Sequence, residues 1–106
     1  MAEILQGTTP TLAIKVDTTD FAVSDVTKLE LVFQNGEKTT THGLEDVTVD
    51  AENNSFVYTF SEEETLGFSP SFKLCYQLRF AFEDGSIVGT KKSALTIEDL
   101  ISEESL

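Results

Sequence analysis

The chain holds one histidine, His42, and one cysteine, Cys75, the two residue types that together make an imidazole-activated thiolate. Such a pair acts only where the two side chains meet in space, and the strand pattern described below sets them on different hairpins. His42 therefore reads as a rim residue and Cys75 as a small, half-buried thiol. A structural zinc site takes about four nitrogen or sulfur ligands, and two candidates do not supply them. Calcium takes oxygen ligands. Asp17, Asp20 and Asp25 flank one loop and Glu45, Asp46 and Asp50 another, but neither set has the spacing of a known calcium loop, and solvated loop carboxylates are the expectation.

The run Glu62-Glu63-Glu64 offers three carboxylates, yet successive positions on one helical turn point in different directions, whereas a working acid/base pair is held across a cleft. Capping and complementation of the helix dipole account for them better. The six glycines are isolated and sit mainly at turns, so no phosphate-cradling loop is present. The aromatic residues fall at core-parity positions, which argues against a platform for stacking sugars. No catalytic residue, no bound metal and no cofactor is expected. The competing expectation is a carbohydrate- or calcium-binding module that uses its acidic loops.

The elements that must position any site come from a short chain. With 106 residues, 40% of them apolar, and with eight Phe and two Tyr, the sequence can fill one core without a metal or disulfide. A single domain over residues 1–106 is expected, with 1–9 and 99–106 as frayed ends. Nineteen acidic against seven basic residues give a net charge of -12. Such a surface repels nucleic acid and anionic membranes, keeps a β protein soluble, and attracts a basic partner. The lone cysteine and an amino terminus without a basic lead or an apolar stretch point to folding in a reducing cytoplasm. No apolar run approaches the ~20 residues that span a bilayer.

Alternating apolar residues recur in short segments between turn residues, the sign of an antiparallel sandwich or barrel. The first strand runs from Thr11 to Val16 with Leu12, Ile14 and Val16 on one face. The second, Val26 to Gln34, leads into Asn35-Gly36 as a two-residue hairpin turn. That count sets Phe33 opposite Lys38, Leu31 opposite Thr40 and Leu29 opposite His42. The third strand, Glu37 to His42, offers Lys and Thr where a central strand would be apolar, so it reads as an edge guarded by charge and hydroxyls. A short strand at Val47 to Val49, a turn at Glu52 to Ser55 and a strand from Phe56 to Phe60 follow. Ser61 and Glu64 have capping-box spacing and predict one helical turn up to Leu66, with Leu66 and Phe68 plugging the core and Gly67 and Pro70 ending the helix.

The late hairpin is the strongest local signal, since Phe72, Leu74, Tyr76, Leu78, Phe80 and Phe82 share one face. Asp84-Gly85 makes its turn, and two-residue counting pairs Phe82 with Ile87, Phe80 with Gly89, Leu74 with Leu95 and Phe72 with Ile97. Lys91 and Ser93 mismatch, and a bulge near Lys91 is expected to re-aim them. The strands counted so far number about seven.

Three segments in order carry a resemblance. Gly7-Thr8-Thr9-Pro10-Thr11-Leu12, then Phe60-Ser61-Glu62-Glu63-Glu64-Thr65-Leu66-Gly67-Phe68, then Tyr76-Gln77-Leu78-Arg79 running to Asp84-Gly85 resemble the amino-terminal domain of phage baseplate upper proteins and the related small proteins of phage and prophage tail modules. The resemblance implies an immunoglobulin-like antiparallel β-sandwich and a non-enzymatic structural or adaptor role, by docking to other tail or baseplate proteins or to a second copy of itself. It implies residence in the host cytoplasm during assembly and then in the virion tail. The sequence ends at Leu106 without the stalk and receptor-binding head of the larger members, so an adaptor role is expected over attachment to the host. Lys38, Thr39, Thr40 and Thr41, on the edge strand, are the candidate partner-binding residues.

Overall fold

The computed structural model describes residues 3–16 and 22–101. In chain order the elements are β1 (Glu3–Leu5), β2 (Thr11–Lys15), β3 (Val26–Asn35), β4 (Lys38–His42), β5 (Thr48–Asp50), β6 (Ser55–Thr59), α1 (Glu62–Leu66), β7 (Leu74–Phe82), β8 (Ile87–Gly89) and β9 (Ser93–Glu98). They build the expected all-β sandwich. One sheet has the order β1-β9-β7-β3-β4, with β8 also pairing with β7, and the other has the order β2-β6-β5. No helix among the described residues is long and apolar enough to cross a membrane.

The core is the meeting of two inward faces. Leu29, Leu31 and Phe33 from β3 and Leu74, Leu78 and Phe80 from β7 are buried against Ile14, Phe56 and Tyr58 of the small sheet and Phe60 just after it. Period-2 alternation puts these residues on one side of each strand, and their rings interlock. Phe33 lies 5.1 Å from Phe60 and 5.2 Å from Tyr58, and Phe56 lies 5.6 Å from Phe80, between ring centroids. The short helix forms for the reason its sequence predicts. Ser61 Oγ accepts from the Glu64 N–H at 3.1 Å, and Glu64 Oε1 accepts from the Ser61 N–H at 3.4 Å. Thr65, fully buried, then ties the helix to the segment between β1 and β2, donating to the Thr8 carbonyl at 2.8 Å and accepting from the Thr8 N–H at 3.1 Å.

Several expectations need correction. The described residues form nine strands where about seven were expected. One addition is β1, from a stretch expected to fray, which runs parallel to β9 with Ile4 beside Ile97. The other arises because the return arm of the late hairpin is divided into β8 and β9. Of the carboxyl-terminal stretch expected to fray, residues 102–106 lie outside the described residues.

The early hairpin turns at Gly36-Glu37, and its register is moved by two residues. Asn35 pairs with Lys38, Phe33 with Thr40 and Leu31 with His42. Gly36 takes φ +64° while Glu37 has no positive φ, the signature of a II′ turn with glycine at its first central position. Asn35 belongs to the strand because its buried amide is needed there. Its Nδ2 donates to the carbonyls of Ser69 and Phe72, each at 3.1 Å, and its Oδ1 accepts from the Ser69 N–H at 2.6 Å.

Phe72 is not part of the late strand. That strand starts at Leu74, and Phe72 is 53% exposed, its ring lying against Gly36 in the loop that Asn35 holds. The turn of the late hairpin is one residue longer than counted. The Phe82 N–H bonds to the Ser86 carbonyl at 3.0 Å and the Gly85 N–H to the Phe82 carbonyl at 2.9 Å, with Gly85 at φ +89°. Phe80 therefore faces Val88, Ala81 faces Ile87, and Gly89 faces Arg79. One extra residue between Gly89 and Ser93 restores the expected Leu74–Leu95 pair. This irregularity lies where the bulge near Lys91 was expected, and Thr90 fills it, donating its N–H to the Leu78 carbonyl at 2.8 Å and accepting the Leu78 N–H on its hydroxyl at 3.1 Å.

Candidate functional site

The candidate site is a cleft of about 750 Å³ between β4 and α1, lined among others by Lys38, His42, Tyr58, Glu63 and Glu64. The ladder with β3 dictates what β4 brings to it. Lys38, Thr40 and His42 pair with the inward residues Asn35, Phe33 and Leu31, so their side chains share the inner face, and Thr39 and Thr41 stand exposed on the outer one. In an antiparallel ladder the main-chain groups of successive residues point alternately to and away from the partner strand. With Asn35 and Lys38 closing the turn, those of Thr39 and Thr41 point away from β3. Among the described residues no strand lies beyond β4 in the sheet, which leaves these groups at an open edge.

At one end of the cleft three polar side chains converge. The Tyr58 hydroxyl donates to the Glu64 carboxylate, 2.9 Å from both oxygens. With its single proton committed there, the Tyr58 oxygen accepts from His42 Nε2 at 3.2 Å. His42 Nε2 is also 3.6 Å from Glu64 Oε2, and its Nδ1 is 3.8 Å from Asp46 Oδ2. The His42 and Glu64 side chains are only 20% and 17% exposed. Burial, reinforced by the adjacent Glu64 carboxylate, drives the Tyr58 phenol far above its ordinary value of 10.0, so Tyr58 stays a neutral donor. The His42 ring packs on Phe33 and Tyr58, with centroids 5.6 Å and 4.7 Å away. At the other end, the Lys38 ammonium lies 5.8 Å from the centre of the Phe68 ring, within cation–π range. Between the ends, Thr40 Oγ1 is the one buried side-chain polar atom among the described residues without a hydrogen-bond partner.

Chemically this arrangement holds charge and accepts hydrogen bonds. His42, Tyr58 and Glu64 could pass a proton, but Cys75 stands outside their reach. It pairs with Gln34 on the outer face of the sheet, whereas His42 is on the inner face. Carboxylates of the acidic loops weighed as calcium sites are engaged locally. Asp46 accepts from the Gly43 N–H at 3.0 Å, and Asp50 accepts from the Asn53 side chain at 2.8 Å, which with the Asn53 N–H holds Asp50 below its ordinary value. Asp17 and Asp20 lie outside the described residues.

Lys38, Thr39, Thr40 and Thr41 form the edge strand as read from the sequence, with Lys38 and Thr40 facing the cleft. The Tyr58–Glu64–His42 cluster was missed. Its signals were present, because a buried tyrosine hydroxyl needs a partner and His42 has inward parity on a strand next to the core. Glu64, however, was already accounted for by the capping box. No family model matches the chain, and a search of curated proteins finds no match.

Proposed function

We propose that this protein is a non-enzymatic structural adaptor of a phage or prophage tail or baseplate, which docks a partner segment along β4. The observation that carries the reading is the open edge itself. Thr39 and Thr41 present unpaired main-chain donors and acceptors beside a polar cleft, the arrangement that accepts an added strand. The guard on this edge is Lys38, whose ammonium lies near Phe68, and the strand carries no proline, so one charge protects the edge while the outward main-chain groups of Thr39 and Thr41 stay uncovered.

The link to tail proteins comes from the three ordered segments quoted above. Two of them touch, since Thr8 of the first and Thr65 of the second exchange hydrogen bonds, so those residues serve the packing of α1 beside the cleft. For a partner other than a second copy, the net charge of -12 favours a basic docking surface. In this reading the protein is made in the host cytoplasm and ends in the virion tail.

The test is size-exclusion chromatography with light scattering, run on the protein alone and mixed with each purified protein encoded beside its gene. A stoichiometric complex weakened by Thr41→Pro is the expected result. Proline at position 41 removes an outward N–H and leaves the bonds to β3 in place. A protein that stays monomeric and ignores all of these neighbours overturns the proposal.

A further inference from the structure

The cleft beside β4 is polar at both ends and opposite in sign. Lys38 stands at one end. His42, flanked by Glu64 at 3.6 Å and Asp46 at 3.8 Å, stands at the other, about 13 Å along the strand at the usual rise per residue. Thr40 sits midway, its Oγ1 buried and without a partner.

Resting on the docking reading above, we infer that the occupant of the β4 edge is a second copy of this chain, joined edge to edge about a two-fold axis through Thr40. An antiparallel pairing centred there sets Thr39 of each copy against Thr41 of the other. Those are the two residues whose main-chain groups point outward, so the register satisfies both. The same operation brings Lys38 of one copy opposite His42 of the other, beside its Glu64 and Asp46 carboxylates, and does so twice. An isologous interface requires a patch complementary to itself, and a strand with its cation at one end and its carboxylate cluster at the other meets that requirement when reversed. The two Thr40 residues face each other as a non-hydrogen-bonded pair, the closest kind across an antiparallel ladder. Repulsion between two molecules of charge -12 is offset at the seam, where Lys38 of each copy meets the Glu64 and Asp46 carboxylates beside His42 of the other.

Disulfide trapping tests the register. In a Cys75→Ser background, Thr40→Cys places two thiols across the axis at the Cα separation that a disulfide spans, whereas the two copies of Thr39→Cys lie beyond it. Mild oxidation should link Thr40→Cys into a covalent dimer and leave Thr39→Cys unlinked. Sedimentation equilibrium of the unmodified protein should give twice the monomer mass, and Thr41→Pro and Lys38→Glu should each return it to the monomer with an unchanged circular dichroism spectrum. A strict monomer at every concentration overturns the dimer, as does equal cross-linking at positions 39 and 40. Should that monomer still bind a neighbouring tail protein through β4, the docking reading survives and only the self-pairing falls. Binding of neither a copy nor a neighbour removes both.

Discussion

The hydroxyl of Tyr58, carried by the smaller sheet, donates to the carboxylate of Glu64, carried by α1, with both oxygens at 2.9 Å. One carboxylate thereby closes the helix cap at Ser61, satisfies a buried phenol and draws His42 of the edge strand to 3.6 Å. The edge, the helix and the second sheet are joined at one point, and the wall of the cleft depends on that joint.

Removing the hydroxyl alone therefore destabilises more than an ordinary surface change. Tyr58→Phe keeps the ring contacts but leaves a mostly buried carboxylate short of a donor, and should cost about 2 kcal/mol, read as a lower urea midpoint with an unchanged slope. Ser61→Ala removes only the other half of the cap and should cost about 1 kcal/mol. Equal stability of Tyr58→Phe and the parent would show that Glu64 is satisfied elsewhere.

Asn35→Ala tests the staple that shifts the early turn. It strands the Ser69 N–H and two carbonyls, so a loss of about 2–3 kcal/mol is expected. Limited proteolysis should find new cleavage between Ser69 and Lys73, where the loop loses its anchor. An unchanged cleavage pattern contradicts the role given to that amide.

The two turn glycines should respond unequally to alanine. At Gly36, φ is +64° and an added Cβ would stand 2.7 Å from the Phe72 ring, whereas at Gly85, φ is +89° and nothing lies within 4 Å. Both substitutions force alanine to a positive φ, which costs about 1–3 kcal/mol. Thermal melts should show Gly36→Ala to be the less stable of the two unless Phe72, half in solvent, swings away, and Phe72→Ala in the same background should recover part of the difference.

Acid should weaken the fold through Asp50 and Asp84. Hydrogen bonds from Asn53 hold the first below its ordinary carboxylate value, and bonds from Ser86 hold the second. A carboxyl whose folded value lies below its unfolded one adds stability above the unfolded value of 3.8, and loses it as pH falls through the lower folded value. Asp50→Asn and Asp84→Asn should each flatten the fall in melting temperature on that acid limb, while leaving its shape above pH ~6 unchanged. An acid limb identical to that of the parent would remove these two side chains from the account.

What could be read in the sequence was local. Alternation gave both inward faces, the spacing of Ser61 and Glu64 gave α1, and the Lys and Thr pattern gave the edge. What could not be read depended on partners distant in the chain. Asn35-Gly36 looks like a complete turn until the loop at Ser69 and Phe72 needs the Asn35 amide, which displaces the turn by one residue and the pairing by two. Phe72 continues the alternation of β7 in sequence but precedes the strand in space. The cleft required Tyr58, Glu64 and His42 to converge from three elements, and no spacing rule encodes that meeting.

The docking role of β4 is tested most directly by amide hydrogen exchange at Thr39 and Thr41, measured in the isolated monomer and in whichever assembly the protein forms, with a second copy or a tail neighbour. Their N–H groups should exchange freely in the monomer and become strongly protected in the assembly, while that of Thr40, already bonded to β3, changes little. An assembly in which Thr39 and Thr41 exchange as fast as in the monomer would place the contact elsewhere and contradict the account.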